Sequence, residues 1–270
     1  MRLGISSFTF TWAVGLPGYM PNQPLGPVDL VRRAVELGAK VVQFGDNLPL
    51  HERSPEELRT LARAARVEGV SLEVGARTLE VPVLRRYIRL AAELGSPILR
   101  LVADPAEGEP SVSAIADRLR PILPDLRAAG VTLALENHDR LTSGQLVALL
   151  DQLGGEHVGI CLDTVNPFGA LEGPPFVIEA LAPYAVNLHL KDFTIFRAPQ
   201  NMGFIIEGRP LGQGRLDIPW VLSTLRAHGR DPNAILELWT PAQGTLEETI
   251  ALERRWAEES VRAARRFIAE

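Results

Sequence analysis

The sequence predicts a single (β/α)8 TIM barrel, α/β in class, with residues 1–270 as one domain, and three observations carry this expectation. The chain has 270 residues and 46% hydrophobic content, a length at which α/β barrels enclose one core. Eight short β-rich runs alternate with helical segments, at residues 3–6, 41–45, 72–75, 98–102, 132–136, 158–163, 185–190 and 234–238. The later strands place ligand-type polar residues in one phase, near their C-terminal ends.

The segments between the strands carry helix punctuation. Ser54 with Glu57, Thr142 with Gln145, and Thr245 with Glu248 have capping-box spacing, in which side chain and backbone satisfy each other's exposed donors. Gly38, Gly69, Gly95 and Gly130 each stand a few residues before a strand, where a left-handed C-cap turns the chain back toward the sheet. The last helix, with Ile250, Trp256, Val261 and Phe267, is amphipathic and is expected to cover the barrel. Strand-helix alternation with short connections implies parallel strands.

A closed barrel and an open doubly wound sheet both satisfy that alternation, and side-chain parity separates them. Leu133 and Leu135 oppose Thr132, Ala134 and Glu136; Val186, Leu188 and Leu190 oppose Ala185, Asn187 and His189; Leu236 and Leu238 oppose Ile235, Glu237 and Trp239. Gln43, Glu73 and Arg100 interrupt earlier strands in the same phase, with Glu73 and Arg100 expected to face each other. So many polar residues on one face are costly between helix layers but fit the upper interior of a barrel, where they pair or meet water.

Composition excludes several functions. Lys and Arg number 28 against 33 Asp and Glu, a net charge of −5 with both signs dispersed, so no basic footprint for nucleic acid exists. No G-x-G-x-x-G follows the first strand and no Walker-type loop occurs. The absence of a long apolar run or charged-then-apolar leader, with a single cysteine, Cys161, implies a cytoplasmic protein with no membrane contact and no intrachain disulfide. A homodimer is compatible with the sequence.

Glu136 ends the fifth strand, Asp163 the sixth, and His189 and Glu237 lie in the seventh and eighth, all with inward parity. Active sites of this fold sit where these strand ends converge. Any one of the four alone reads as a buried polar group satisfied by backbone. Together, three carboxylates and an imidazole read as an oxygen-rich site for one divalent ion, Mn²⁺ foremost, with Mg²⁺ or Co²⁺ as alternatives. Without a cation the converging carboxylates would repel one another.

The segments GISSFTF, LALEN, CLD, HLKD, residues 208–214 with Leu216 and Asp217, and ILELW resemble the xylose-isomerase-like barrels, which include sugar and sugar-phosphate isomerases and epimerases. The resemblance covers nearly the whole chain. It implies that Glu136, Asp163, His189 and Glu237 bind the ion, and that Glu136 and Glu237 are the catalytic acid/base pair that moves a proton through a metal-bound enediolate. One departure is Asn166, three residues after Asp163, where many of these epimerases place a substrate-holding histidine. Endonuclease relatives need several extra histidines around three metals, whereas this chain has only five in all.

Nine of the sixteen aromatics fall on presumed strand tops and the loops after them, which predicts an enclosed cavity for a carbohydrate or sugar-acid substrate. Contacts to it are expected from Trp12, His138, Asn166, Lys191, Arg197 and Trp239. Residues 191–215 read as a long loop, a lid bringing Lys191, Arg197 or Arg209 to an anionic group. The first-ranked function is therefore metal-dependent isomerisation or epimerisation of a ketose or sugar derivative. A lyase decarboxylating or dehydrating a sugar-derived keto acid is the alternative, favoured by Asn166 and Lys191. A sugar-binding barrel without catalysis ranks third.

Overall fold

In a computed structural model that describes residues 1–103 and 111–268, eight parallel strands close into a barrel surrounded by helices. In chain order the elements are β1 (Leu3–Ser6), α1 (Thr11–Val14), α2 (Pro27–Leu37), β2 (Val41–Phe44), α3 (Pro55–Glu68), β3 (Ser71–Arg77), α4 (Val81–Leu94) and β4 (Ile98–Val102). There follow α5 (Val112–Leu119), α6 (Leu123–Ala129), β5 (Thr132–Glu136), α7 (Ser143–Leu153), β6 (Val158–Asp163), α8 (Pro174–Leu181) and β7 (Ala185–Leu190). The chain ends with β8 (Asp192–Arg197), β9 (Phe204–Arg209), α9 (Ile218–Ala227), β10 (Ala234–Leu236) and α10 (Leu246–Ala264). Around the barrel the order is β1-β10-β7-β6-β5-β4-β3-β2. Among the described residues no helix is long and apolar enough to cross a membrane.

The expected punctuation operates as read. Ser54, Thr142 and Thr245 each close a capping box at the start of α3, α7 and α10. Gly38, Gly69, Gly95 and Gly130 hold the left-handed conformation at the ends of α2, α3, α4 and α6, with φ between 64° and 72°, where a Cβ would clash with its own carbonyl. Between β4 and β5 the expected single helix is broken into α5 and α6 by a 3-10 turn, because Pro121 and Pro124 remove backbone donors.

Two layers of apolar side chains result. Leu133, Leu135, Leu188, Leu236 and Leu238 face the helices in the main core, while Ile98, Ala134 and Cys161 pack inside the barrel. The seventh strand departs from the expected parity at its start. Ile160 pairs with Ala185 but Cys161 with Asn187, so Val186 is an extra residue. Ala185 therefore joins the outer core and Val186 turns inward. Gly159 makes room for this bulge, since a Cβ there would stand 2.6 Å from Val186 Cγ1.

The segment expected as a long open loop contains an antiparallel hairpin, β8 paired with β9 from Asp192↔Arg209 to Arg197↔Phe204. Its tip uses positive φ at Asn201 and Gly203. After β1, a 3-10 turn at Ser7–Phe10 leads into α1, where Glu253 of α10 accepts from the backbone N–H groups of Trp12 (2.9 Å) and Ala13 (3.1 Å). Burial pushes the Glu253 carboxyl up to about 8 despite these bonds.

Candidate metal centre

Four strand ends deliver Glu136, Asp163, His189 and Glu237 to one point, because β5, β6, β7 and β10 are adjacent and staggered in register. Asp163 stands opposite His189, and Glu136 opposite Cys161. All four are buried. His189 Nδ1 lies 3.4 Å from Glu136 Oε2, 3.6 Å from Asp163 Oδ2 and 3.6 Å from Glu237 Oε1. Ligand atoms of Asp163, His189 and Glu237 all fall within 4.8 Å of one another.

A ladder of amides fixes the imidazole. Gln43 donates through Nε2 to Glu73 (3.0 Å) and to Asn187 Oδ1 (3.0 Å), which leaves its Oε1 to accept from His189 Nε2 at 2.7 Å. His189 Nδ1 then presents a lone pair to three carboxylates, with no hydrogen-bond partner among the described residues. Among the described residues Asp163 Oδ2 likewise lacks a hydrogen bond of good geometry, with the Lys191 ammonium 2.8 Å and His189 Nδ1 3.6 Å away. Orphaned donor atoms converging in a buried, oxygen-rich set with one imidazole fit a divalent cation. Burial pulls the His189 pKa down, but the surrounding anions, Glu237 and Glu136 among them, raise it well above the ordinary value when protons alone supply the balancing charge. Cys161 stands beside Glu136 and His189. Burial pushes its thiol up to about 11, so it remains a thiol that donates to Asn187 Oδ1 at 3.4 Å rather than a thiolate ligand.

Removing the amide that orients His189 is expected to weaken metal binding without touching a ligand. Gln43→Ala should raise the Mn²⁺ dissociation constant by about 10–100-fold in calorimetry. An unchanged constant would show that the ladder is only packing.

Two cations share the site, and sequence reasoning placed one of them wrongly. Arg100 does not pair with Glu73, whose carboxylate accepts from Gln43, Asn187 and Asn233 instead. Burial pushes the Glu73 pKa upward even with these partners. Arg100 instead reaches up to Glu136 Oε2 and to Asp46 Oδ1 (3.0 Å). Lys191 Nζ stands 2.8 Å from Asp163 Oδ2, 2.9 Å from Glu237 Oε2 and 3.4 Å from Asn166 Oδ1. Burial opposes its charge, but Asp163 and Glu237 hold the ammonium pKa well above its usual range, and Lys191 in turn helps to hold Asp163 well below the carboxylate range against burial. Asn166 donates to Glu136 Oε1 at 2.8 Å, and its backbone N–H donates to Asp163 Oδ1.

Above these groups lies a cavity of about 350 Å³, walled by Phe8, His138, Asn166, Phe168, Lys191, Glu237 and Trp239. A larger groove of about 630 Å³ between α3 and α4 contains none of the strand-end carboxylates. Of the expected substrate contacts, His138, Asn166, Lys191 and Trp239 line the cavity, and His138 is oriented by a hydrogen bond with Asp139. Trp12 and Arg197 do not. The Trp12 indole donates to Thr240 O at 2.9 Å and stacks edge-on against Tyr19, while Arg197 stays on the hairpin, bonded to Asn201 O and lying over Phe204. Arg209 pairs with Glu207. The physical reason is the hairpin itself, whose strand pairing holds Arg197 and Arg209 on an ordered ribbon. Sequence reasoning also missed Asp46, and Ser6, whose hydroxyl donates to Glu237 Oε1 at 3.0 Å; its place at the end of β1, facing inward, was the available signal.

Residues 31–267 match the family described as xylose isomerase-like TIM barrel. The chain is 35% identical over 261 residues to a 3-oxo-isoapionate decarboxylase of Pectobacterium atrosepticum, covering 97% of this chain and 94% of that one. Among solved structures it superposes on a D-psicose 3-epimerase of Clostridium cellulolyticum with a TM-score of 0.73 at 16% identity, covering 100% of each chain. A xylose isomerase-like TIM barrel protein of Mycobacterium smegmatis, in complex with magnesium, gives a TM-score of 0.71 at 16% identity over 97% of both chains.

Proposed function

We propose, from the premise that this chain belongs to the xylose isomerase-like TIM barrel family, that it is a divalent-metal-dependent lyase that decarboxylates a 3-oxo sugar acid. The placement of Lys191 carries this reading. Its ammonium stands at the cavity wall between Asp163 and Glu237, where a neutral ketose offers it nothing to bind and a substrate carboxylate does. The relative that acts on such an acid supports the same choice. This reverses the order in which the sequence ranked the two reactions.

Loss of CO2 from a 3-oxo acid breaks the bond between the carboxyl and the neighbouring carbon, whose electron pair passes toward the ketone as an enolate. A divalent ion held by Glu136, Asp163, His189 and Glu237 would act as Lewis acid for that developing oxygen charge. Lys191 holds and orients the carboxylate before it leaves. Phe8, Phe168 and Trp239 give the cavity an apolar wall, which would limit water around the reacting carbon once substrate fills it. One proton then returns to the carbon from the wall where His138, Lys191 and Glu237 lie, which balances the reaction as ketone plus CO2.

Incubation with 3-oxo-isoapionate and Mn²⁺, Mg²⁺ or Co²⁺ tests the proposal. Metal-dependent CO2 release, suppressed by chelator and unaccompanied by turnover of a ketose panel, is the expected result. Ketose interconversion without CO2 would restore isomerisation, which the presence of both glutamates at the site still favours as the second reading. Binding of sugars with neither reaction would leave a binding protein.

A further inference from the structure

Glu136 and Glu237 are chemically equivalent residues in different situations. Glu136 has both oxygens engaged by fixed partners: Oε2 takes the Arg100 Nε–H, and Oε1 takes Asn166 Nδ2 at 2.8 Å. Arg100 is itself anchored. It is 3% exposed, its Nη1 is bonded to Asp46 Oδ1 at 3.0 Å, and its guanidinium lies 5.8 Å from the centre of the Phe8 ring. The sequence clears a path for it with Gly75, paired to Arg100 across β3 and β4. A Cβ there would meet Arg100 Cδ at 3.1 Å and Phe44 O at 2.8 Å. Glu237, by contrast, is held by the Ser6 hydroxyl and by Lys191, an ammonium on a flexible stem that can follow a substrate carboxylate.

Epimerisation inverts a carbon and so needs one group to remove a proton and another to deliver one from the opposite face. Decarboxylation needs a single delivery, because the departing CO2 leaves its electron pair behind. Glu136 Oε2, whose two lone pairs are committed to the Arg100 guanidinium and to a metal position, has none left for a carbon-bound proton, and Asn166 occupies one of the two on Oε1. From this arrangement we infer that Arg100, anchored by Asp46, is a positioning residue that sets the reaction outcome by withdrawing Glu136 from proton transfer and leaving it as a ligand. The inference rests on the decarboxylase reading, and it revises the expectation that both glutamates act as acid and base.

The test compares wild type, Arg100→Gln, Arg100→Lys and Asp46→Asn, each loaded with Mn²⁺, in D2O. Three quantities are read: CO2 release from 3-oxo-isoapionate, deuterium exchange in added ketose product of the hydrogen on the face opposite the one protonated after CO2 loss, and the Mn²⁺ dissociation constant by calorimetry. Arg100→Gln is expected to gain exchange by about 10²-fold, the scale of one general base, while the Mn²⁺ constant moves by less than about 10-fold, the lower bound for loss of a ligand's orienting partner. Arg100→Lys, which keeps a cation beside Glu136, holds exchange near the wild-type level, and Asp46→Asn falls between. A gain of reactivity is not what a merely loosened fold produces. Exchange unchanged in both Arg100→Gln and Asp46→Asn with Mn²⁺ bound overturns the inference, as does wild-type exchange as fast as decarboxylation. Asp46→Asn alone decides the matter if Arg100→Gln does not fold. Absence of CO2 release by wild type from 3-oxo acids would remove the functional reading separately, since the exchange comparison does not depend on it.

Discussion

Lys191→Met lowers kcat/KM for a 3-oxo sugar acid by about 10²–10³-fold while leaving Mn²⁺ bound. Truncating one side of a buried, hydrogen-bonded charge pair costs about 2–5 kcal/mol, and each 1.4 kcal/mol or so is a factor of ten in rate. The side chain sits among Asp163, Glu237 and Asn166, so the loss falls first on the substrate carboxylate that would share the ammonium. Metal retention follows from charge. Removing a cation from a set of three carboxylates strengthens their attraction for a divalent ion, so the Mn²⁺ dissociation constant stays level or falls. Lys191→Arg is not a conservative change in shape, because a planar fork cannot occupy the gap between two carboxylates that an ammonium fills. Steady-state kinetics and calorimetry on Lys191→Met separate the two effects. If that variant keeps kcat/KM within threefold of wild type, Lys191 only neutralises Asp163 and Glu237, and the observation carrying the decarboxylase reading is lost.

The second large effect concerns stability. Asp192, directly after Lys191, is 3% exposed and accepts four backbone N–H bonds: Phe193 (2.8 Å) and Leu216 (3.0 Å) on Oδ1, Gly212 (2.8 Å) and Gly214 (2.9 Å) on Oδ2. It ties the end of β7 to the chain that returns from the hairpin. The fit is close enough that a Cβ at Gly214 would stand 2.1 Å from Asp192 Oδ1. In Asp192→Ala these donors lose their partner inside the protein; an orphan costs about 1–3 kcal/mol where it is buried, as at Phe193, and less at Gly212, Gly214 and Leu216, which water can reach. With partial rescue by water, the total is about 3–5 kcal/mol, which at about 2–4 °C per kcal/mol for a chain of this size lowers Tm by about 10 °C. Asp192→Asn keeps one accepting oxygen and two of the bonds, so it should lose about half as much. Differential scanning calorimetry reads both, and an Asp192→Ala shift below about 1 °C would mean that the hairpin and its return are held by packing alone.

What was legible follows from which forces are local. Helix caps at Ser54, Thr142 and Thr245 and C-caps at Gly38, Gly69, Gly95 and Gly130 depend on residues within one turn, and they could be read directly. Strand parity is also local, and it placed Glu136, Asp163, His189 and Glu237 on the inward face. It failed at Ala185 and Val186, because a bulge is set by the partner strand and by the space that Gly159 leaves. The hairpin of β8 and β9 was legible in part: runs rich in Phe, Ile and Thr flank Pro199, Asn201 and Gly203, a pattern of two strands and a turn.

By itself the sequence determined the closed barrel, its strand positions and the four metal-ligating candidates, since periodicity, caps and strand-end chemistry each act over a few residues. Only the tertiary structure decided which charge meets which. Arg100 chose Glu136 and Asp46 rather than Glu73, Lys191 came between Asp163 and Glu237, and Trp12 was drawn away to Thr240. The Arg100–Glu136 and Trp12–Thr240 contacts join residues 36 and 228 positions apart. A buried ion pair depends on the stagger between strands and on how far each side chain reaches, and those distances exist only once the barrel has closed.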